Sequence, residues 1–342
     1  MIGKYFKMNK MENFESDATH SLFEKKLISE EQFTQIQAYR NLKIFSLHNE
    51  LRLLLYLSVL LFTSGIGILI YQNIDSIGHI AILSLLLVVT TICFYFCFKN
   101  ANGFKKEETA FANPIFDYLL LTANILSCTF IGYLQYQYHT FGTDYDLATL
   151  IPTLISFFSA YYFDNKSVLA IAVTGLAAFV GLSVSPQALL TNELFNSNYL
   201  SYSGILLGIA LMLWTIYATK INLKKHFNLV YLTFSLHLIG IACILNLFKN
   251  HWYFFEIILA LSSYYFYEIS HKISSISIFI FDVFYAYIGF NILLVKIIEQ
   301  INPDYLVTPL IILTPAYLIF SIIMFIKLIK NFNKKTSDAG LR

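Results

Sequence analysis

The fold is decided by residues 51–98, which read LRLLLYLSVLLFTSGIGILIYQNIDSIGHIAILSLLLVVTTICFYFCF. Two long apolar runs flank a short polar turn around Asp75. At a rise of 1.5 Å per residue, about twenty apolar residues cross the hydrocarbon core of a bilayer, where backbone polar groups can pair only inside a helix. The stretch therefore predicts two consecutive membrane-spanning helices.

The same pattern continues to the end of the chain and predicts an all-α fold, a polytopic transmembrane helical bundle of about ten spans. The composition agrees, because 57% of the residues are hydrophobic and 13% are charged, whereas a soluble domain carries roughly a quarter charged residues. This excludes a water-soluble globule. The spans are predicted near 51–72, 78–98, 114–136, 145–163, 167–184, 199–218, 228–247, 252–268, 275–298 and 306–329.

The distribution of positive charge predicts the orientation. With the N-terminus inside, 21 of the 23 Lys and Arg residues fall at inner loops or termini, and only Lys249 and Lys296 fall outside. Positive residues near span ends are retained in the cytoplasm. We therefore expect a multi-pass protein of the bacterial cytoplasmic (inner) membrane with both termini cytoplasmic. The net charge of +2 is dispersed, so nucleic acid is not an expected partner.

Three domains are predicted: residues 1–50 as a cytoplasmic amphipathic helical segment, 51–329 as the bundle, and 330–342 as a cytoplasmic basic tail. The tail is expected to be disordered from Asn331 onward. In the first segment, Ser29 and Gln32 fit a capping box. The apolar face of this segment contains Leu22, Phe23, Leu27, Phe33, Ile36 and Tyr39. Such a short segment cannot form its own core, so it is expected to dock on the bundle, on a second copy or on a partner.

Residues 51–82, preceded by the ISEEQ motif at 28–32, resemble the domain of unknown function 2157 family of predicted bacterial membrane proteins. The segments FDYLLLTANIL (116–126), IGYLQYQYHTFG (131–142) and AYYFDNKSVLAIAVTGLAAFVGLSVSP (160–186) are similar to its form in Bacteroidetes-type bacteria. The resemblance covers residues 20–190 well and the remainder loosely. It implies a topology class, and it carries no catalytic residues because the family has no assigned activity.

Ionisable residues within the spans are the first candidates for function, since a charge at the centre of a membrane helix costs about 2.5–3.5 kcal/mol on insertion scales. Asp282 lies in the ninth span, His237 near the middle of the seventh and Glu256 one turn inside the eighth. Helical spacing puts Tyr285 and Gly289 on the face of Asp282, which should point into the bundle. These residues form a candidate proton relay, in which Asp282 is protonated or pairs with His237. The alternative is that they form structural hydrogen bonds between helices.

Asp117, Glu268 and His271 are secondary candidates, and Asp164 is similar, because all four lie near cytoplasmic span ends. Glu268 and His271 match half of a carboxylate and histidine metal motif, but the second half is missing, so no metal is expected. Four cysteines lie in apolar runs without paired spacing and are interpreted as packing residues. They are Cys93, Cys97, Cys128 and Cys243.

Other motifs point to packing or are missing. Gly204 and Gly208 form a GxxxG pair, which predicts close helix contact either within one chain or between copies. The sequence contains no Walker loop, HExxH, GxSxG or CxxC motif. We therefore expect no enzyme activity and no cofactor.

Two functions remain from the sequence. The first is a proton-coupled secondary transporter or permease of a small solute or lipid, acting through Asp282, His237 and Glu256. The second is a non-catalytic membrane scaffold or sensor that recruits a partner through its N-terminal helices. The expected partners are membrane lipids, with a small solute, a second copy or a cytoplasmic protein as alternatives.

Overall fold

The computed structural model describes residues 29–41, 48–72, 78–109, 111, 113–142, 145–185, 198–249, 251–301 and 303–340. All regular secondary structure in these ranges is helical. A 3₁₀ turn, Lys225–Phe227, precedes the eighth of eleven α-helices in the described residues. These are α1 Glu30–Asn41, α2 His48–Gln72, α3 His79–Lys99, α4 Ile115–Tyr138, α5 Asp146–Phe163, α6 Lys166–Val184, α7 Asn198–Lys220, α8 Asn228–Leu247, α9 Trp252–Lys272, α10 Ile276–Ile301 and α11 Pro303–Gly340.

The predicted all-α bundle is confirmed, and a helix lies at each of the ten predicted spans. Eight of the described helices are long and apolar enough to cross a bilayer. Two of the ten predicted spans are not among these eight, and one of them, α2, contributes a shorter apolar stretch, Leu53–Leu69. The other is α9, which contains two glutamates and several Tyr and Ser residues. These residues lower its hydropathy.

The helices pack mainly as antiparallel neighbours in chain order, in the pairs α3 with α4, α5 with α6, α7 with α8, and α9 with α10. Helix α8 is central, since it contacts α6, α7, α9 and α10. A buried apolar cluster on α7 to α10 surrounds it and includes Leu236, Ile239 and Phe266. The arrangement places the polar residues of α8, α9 and α10 against one another.

The GxxxG face of α7 packs within the chain. A Cβ added at Gly208 would lie 2.6 Å from Cγ1 of Ile239, and one at Gly204 would lie 3.7 Å from the Cβ of Ala242. The Ser235 hydroxyl also donates a hydrogen bond of 2.6 Å to the Gly208 carbonyl. The close contact that the motif predicts is therefore the α7–α8 interface.

The chain divides into two compact units, Met1–Ser58 and Val59–Arg342. In the first, the predicted capping box is confirmed: the Ser29 N–H donates to Gln32 Oε1 at 3.0 Å, and the Gln32 N–H donates to Ser29 Oγ at 3.2 Å. These bonds satisfy two N–H groups at the start of α1. Leu22, Phe23 and Leu27 lie outside the described residues, so the amphipathic face stays a prediction.

The C-terminal tail differs from the expected disorder, because α11 continues to Gly340. Phe332 anchors this extension and is 2% exposed. Its ring lies 4.5 Å from that of Phe279 and 4.7 Å from that of His271, centroid to centroid. Burial of the Phe332 ring stabilises the helical extension. The polar, basic composition of the tail gave no indication of this contact.

Candidate functional site

A polar stripe runs along α10 and faces α8 and α9. Asp282, Tyr285 and Gly289 are spaced three and four residues apart and so share one face. A Cβ added at Gly240 on α8 would lie 2.7 Å from the Tyr285 ring, and one at Gly289 would lie 3.5 Å from both carboxylate oxygens of Glu256 on α9. Asp282 is 2% exposed. The expected inward orientation of this face is therefore observed.

His237 joins the stripe through Tyr285. Its Nδ1 lies 2.7 Å from the Tyr285 hydroxyl, and its ring packs edge-on against Phe281. This contact lies one turn along α10 from Asp282, whose carboxyl group lies near the Ser263 hydroxyl of α9. The polar partner of His237 is therefore Tyr285, and the predicted direct pairing of His237 with Asp282 is not observed.

The two carboxylates of the stripe are incompletely satisfied. Asp282 Oδ1 and Glu256 Oε2 are buried and have no hydrogen-bond partner among the described residues. Between Asp282 and Gly289, which contacts Glu256, the helix rises about 10 Å. A buried polar atom without a partner is costly and needs an explanation beyond packing. Both oxygens are free to accept a proton, a water or a ligand.

A cavity of about 330 Å³ has His237 in its lining. Helices α6, α7 and α8 line it with apolar and small residues together with Ser201, Ser203 and Thr174. His237 is the one titratable side chain among the described lining residues. A single imidazole therefore contacts both the acidic stripe and the cavity.

A buried ion cluster lies at one end of the bundle, where three loops meet. Asp164 is fully buried: His226 Nε2 lies 2.5 Å and Lys224 Nζ 3.2 Å from its Oδ1, while the Thr109 N–H donates to its Oδ2 at 2.5 Å. Lys224 Nζ is otherwise flanked by the rings of Phe104 and Phe227, at 5.6 and 5.8 Å from their centroids. The cluster joins residues that are far apart in sequence.

Local sequence explains how Asp164 is presented to this cluster. Asp164 ends α5 in the left-handed conformation, with φ 63°, which Asp tolerates better than most residues. Asn165 then caps α6, because its side chain accepts from the N–H groups of Ser167 and Val168. The Asn165 amide also donates to Asp117 Oδ1 at 3.0 Å. The two residues between α5 and α6 therefore form a tight corner that turns the Asp164 carboxylate inward.

The other secondary candidates are placed apart from this cluster. His271 donates a hydrogen bond from Nδ1 to the Tyr267 carbonyl at 2.9 Å and packs on Phe332, while Glu268 is exposed. Across the part of the chain that the structure describes, no group of three or more His, Cys, Asp and Glu residues could hold a metal ion. Glu268 and His271 therefore serve here as parts of the α9 end.

An exposed ion pair near the buried cluster predicts a small effect of acid. Lys166 Nζ donates to Glu108 Oε1 at 2.7 Å, and this bond holds the pKa of Glu108 below its ordinary 4.5. A lowered carboxyl pKa stabilises the fold above the unfolded-state pKa, and this contribution is lost as the pH falls through the folded-state value. We expect a loss of at most about 1 kcal/mol below pH 4.5. Unfolding of the wild type and of Glu108→Gln, compared at pH 7 and pH 3.5, checks this: the variant should lose less stability on acidification than the wild type.

Residues 20–169 match the family described as predicted membrane protein (DUF2157). The resemblance predicted from the sequence is thereby confirmed. The DUF2157 match includes Thr109, Asp117 and Asp164 and ends before His237, Glu256 and Asp282. No curated protein and no solved structure matches the chain.

Sequence reasoning missed the partners of Asp164. Lys224 and His226 follow Asp164 by about sixty residues, and in the sequence Lys224 is one of the positive charges from which the orientation is predicted. A usable signal is present just before α8, where a histidine stands next to two lysines at positions 224–226. Nothing in the pattern indicated that Lys224 is buried while Lys225 is exposed.

Proposed function

We propose that this multi-pass membrane protein is a proton-coupled secondary transporter of a small, largely apolar solute. The observation that carries the proposal is the position of His237, which bonds Tyr285 of the acidic stripe and also lines the 330 Å³ cavity. Tyr285 lies one turn from Asp282 on α10, so His237 links the acidic stripe to the cavity through one hydrogen bond.

The chemistry of the stripe supports this role. Asp282 and Glu256 each keep a buried oxygen without a partner among the described residues, and a buried carboxylate is costly unless it is protonated or paired. Arginine is found only at positions 40, 52 and 342, so no arginine within the bundle neutralises the two acids. Proton exchange at these acids then changes the charge of the stripe that His237 joins to the cavity, which is what coupling requires.

The proposal includes the orientation and the absence of enzyme activity. We place both termini in the cytoplasm of a bacterial inner membrane, because this arrangement keeps 21 of the 23 Lys and Arg residues inside. We also propose that the protein is not an enzyme, since the stripe lacks a nucleophile with an adjacent base and anion holder. The buried ion cluster then lies at the cytoplasmic end.

A scaffold or sensor is the second candidate, and the helix α1 favours it. Helix α1 begins with a complete capping box, and Glu30, Glu31 and Gln32 at its start are exposed. Such a helix is able to present a surface to a cytoplasmic protein or to a second copy. Deleting residues 1–45 separates the two functions, because transport should survive the deletion and recruitment should not.

Cysteine accessibility tests the transporter. In a variant lacking the four native cysteines, we expect Asp282→Cys, Glu256→Cys and His237→Cys to react with a membrane-impermeant methanethiosulfonate reagent from at least one side of proteoliposomes. Thiols react as thiolates, so reaction requires a hydrated path. Phe284→Cys is the matched control, since it lies on α10 but is 51% exposed on the outside of the bundle.

The expected result is at least tenfold faster labelling at two of the three stripe positions than at position 284. Equal, slow labelling at all four positions from both sides would leave a dry bundle and would defeat the transporter proposal. Labelling is measured by mass spectrometry of the intact protein. Size-exclusion chromatography beforehand identifies misfolded variants by their elution.

A further inference from the structure

A second and larger cavity lies among α4, α5 and α6, and neither the acidic stripe nor His237 lines it. Its volume is about 520 Å³, within the range of about 300–1,000 Å³ that is usual for small-molecule sites. Thr174 on α6 is the one described residue that lines both this cavity and the cavity of His237. The two cavities are thus separate spaces beside one helix.

Polar groups on a single face of α5 point to where a ligand would bond. Ser156 lines the cavity and is 1% exposed; its Oγ faces the thiol of Cys128, a weak hydrogen-bonding partner, and has no stronger partner among the described residues. Pro152, one turn earlier, has no N–H to donate to the Ala148 carbonyl one turn before it. Ala148 and Pro152 both line the cavity. Residues 148, 152 and 156 follow one another at helical spacing, so the Ala148 carbonyl and the Ser156 hydroxyl share the face of α5 that lines the cavity.

The lining defines the charge of the ligand. Among the described lining residues there is no Asp, Glu, Lys, Arg or His, and the polar ones are hydroxyl, amide and thiol groups. The open side is formed by Gly132, Thr174 and Ala178, which are exposed and lie well inside their helices, where hydrocarbon surrounds the bundle. A ligand that enters there comes from the bilayer, and a charged ligand would be penalised in that medium.

The walls of this cavity are held in place before any ligand arrives. A Cβ added at Gly175 would clash with Thr153 Oγ1, so α5 and α6 are in direct contact where these two residues line the cavity. At its end, Gln135 donates from Nε2 to the Gly142 carbonyl at 2.8 Å and accepts from the Phe141 N–H at 2.9 Å. These contacts fix the loop after α4, and a preformed site loses less entropy on binding.

We propose that this cavity is a binding site for a neutral amphiphile with a hydrocarbon body and one hydroxyl group. The ligand hydroxyl accepts a hydrogen bond from the Ser156 hydroxyl. The hydrocarbon body lies against Ile171, Ala170 and Ala178 and extends toward the bilayer. The proposal is independent of proton coupling.

Photolabelling of the full-length protein in proteoliposomes tests the site. The probe is an octanol that carries a diazirine, and adducts are mapped by mass spectrometry of peptides. We expect saturable adducts on the segments that contain residues 128–135, 145–156 and 170–178. Excess octanol should compete, whereas octanoate and octylamine, which match its chain length but carry charge, should compete at least tenfold less well.

Two variants and one control make the result specific. Ser156→Ala should weaken saturable labelling about fivefold, the effect of losing one net hydrogen bond. Ser159→Ala is the control, because Ser159 is equally buried on α5 but does not line the cavity. Gly132→Leu should abolish saturable labelling by filling the space, and it should fold normally because nothing lies within 4 Å of a Cβ at this position.

Three outcomes would overturn the proposal. Labelling that never saturates would mean that the probe partitions into the cavity without binding there specifically. Equal competition by octanoate or octylamine would remove the requirement for a neutral ligand. Unchanged labelling in Gly132→Leu would place the adducts outside the cavity.

Discussion

Asp164→Asn is expected to lower the free energy of unfolding by about 3–5 kcal/mol, the usual cost of breaking a buried ion pair by removing one partner. Asn keeps the size of the side chain and tolerates the left-handed backbone of this position. What is lost is the negative charge opposite Lys224, whose side chain is 1% exposed. The lysine is then a buried cation with only two aromatic rings and a weaker amide oxygen beside it.

Denaturant unfolding in a fixed detergent measures this effect, with Lys166→Ala as the control. Lys166 also forms an ion pair, with Glu108, but both of these side chains are more than half exposed. Loss of this pair should therefore lower the free energy of unfolding by at most about 1 kcal/mol. A double variant, Asp164→Asn with Lys224→Met, should recover part of the loss because the uncompensated charge is gone. Equal effects of Asp164→Asn and Lys166→Ala would show that the cluster is not a buried ion pair in the folded protein.

Gly240→Ala is expected to destabilise the bundle by about 1–3 kcal/mol, the range for overpacking a tight interface. The added methyl group would lie 2.7–3.0 Å from three atoms of the Tyr285 ring, and a ring cannot bend away as a flexible chain does. Tyr285 must move, and its hydrogen bond to His237 is then lost or lengthened. One methyl group on α8 therefore separates His237 from the acidic stripe.

Unfolding measurements check this prediction with Gly132→Ala as the matched control. Gly132 is a helical glycine with nothing within 4 Å of a Cβ, so alanine there should not lower stability. In a Tyr285→Ala background, the cost of Gly240→Ala should shrink, because the clashing ring is absent. A cost that is the same with and without the ring would mean that the helices do not meet in this way.

The two predictions concern different parts of the molecule. The ion cluster ties three loops at one end of the bundle and so affects how the helices are held together. The Gly240 contact lies inside the membrane region and determines whether α8 and α10 share a polar pair. A variant that loses stability at Asp164 but keeps cysteine accessibility along the stripe would separate the structural role of the first site from the proposed transport role of the second.

The amino-acid sequence by itself determined the class of fold, the positions of ten helices and the inward face of α10. Each of these depends on interactions within about twenty neighbouring residues: hydrocarbon length requires a long apolar run, and the helical repeat places Asp282, Tyr285 and Gly289 on one side. The capping box at Ser29 and Gln32 is equally local. These local features do not depend on which helices pack against one another.

Tertiary structure alone decided which faces touch and what lies between them. Lys224 and His226 reach Asp164 only because the corners after α5 and α7 come together, and Tyr285 instead of Asp282 meets His237 because Gly240 leaves room for a ring. The cavity beside Ser156 lies among three helices, and its lining residues are not contiguous in the sequence. Helix contacts in a membrane depend on the close fit of side chains from distant segments, and hydropathy, which records only the preference of each residue for lipid, carries no information about that fit.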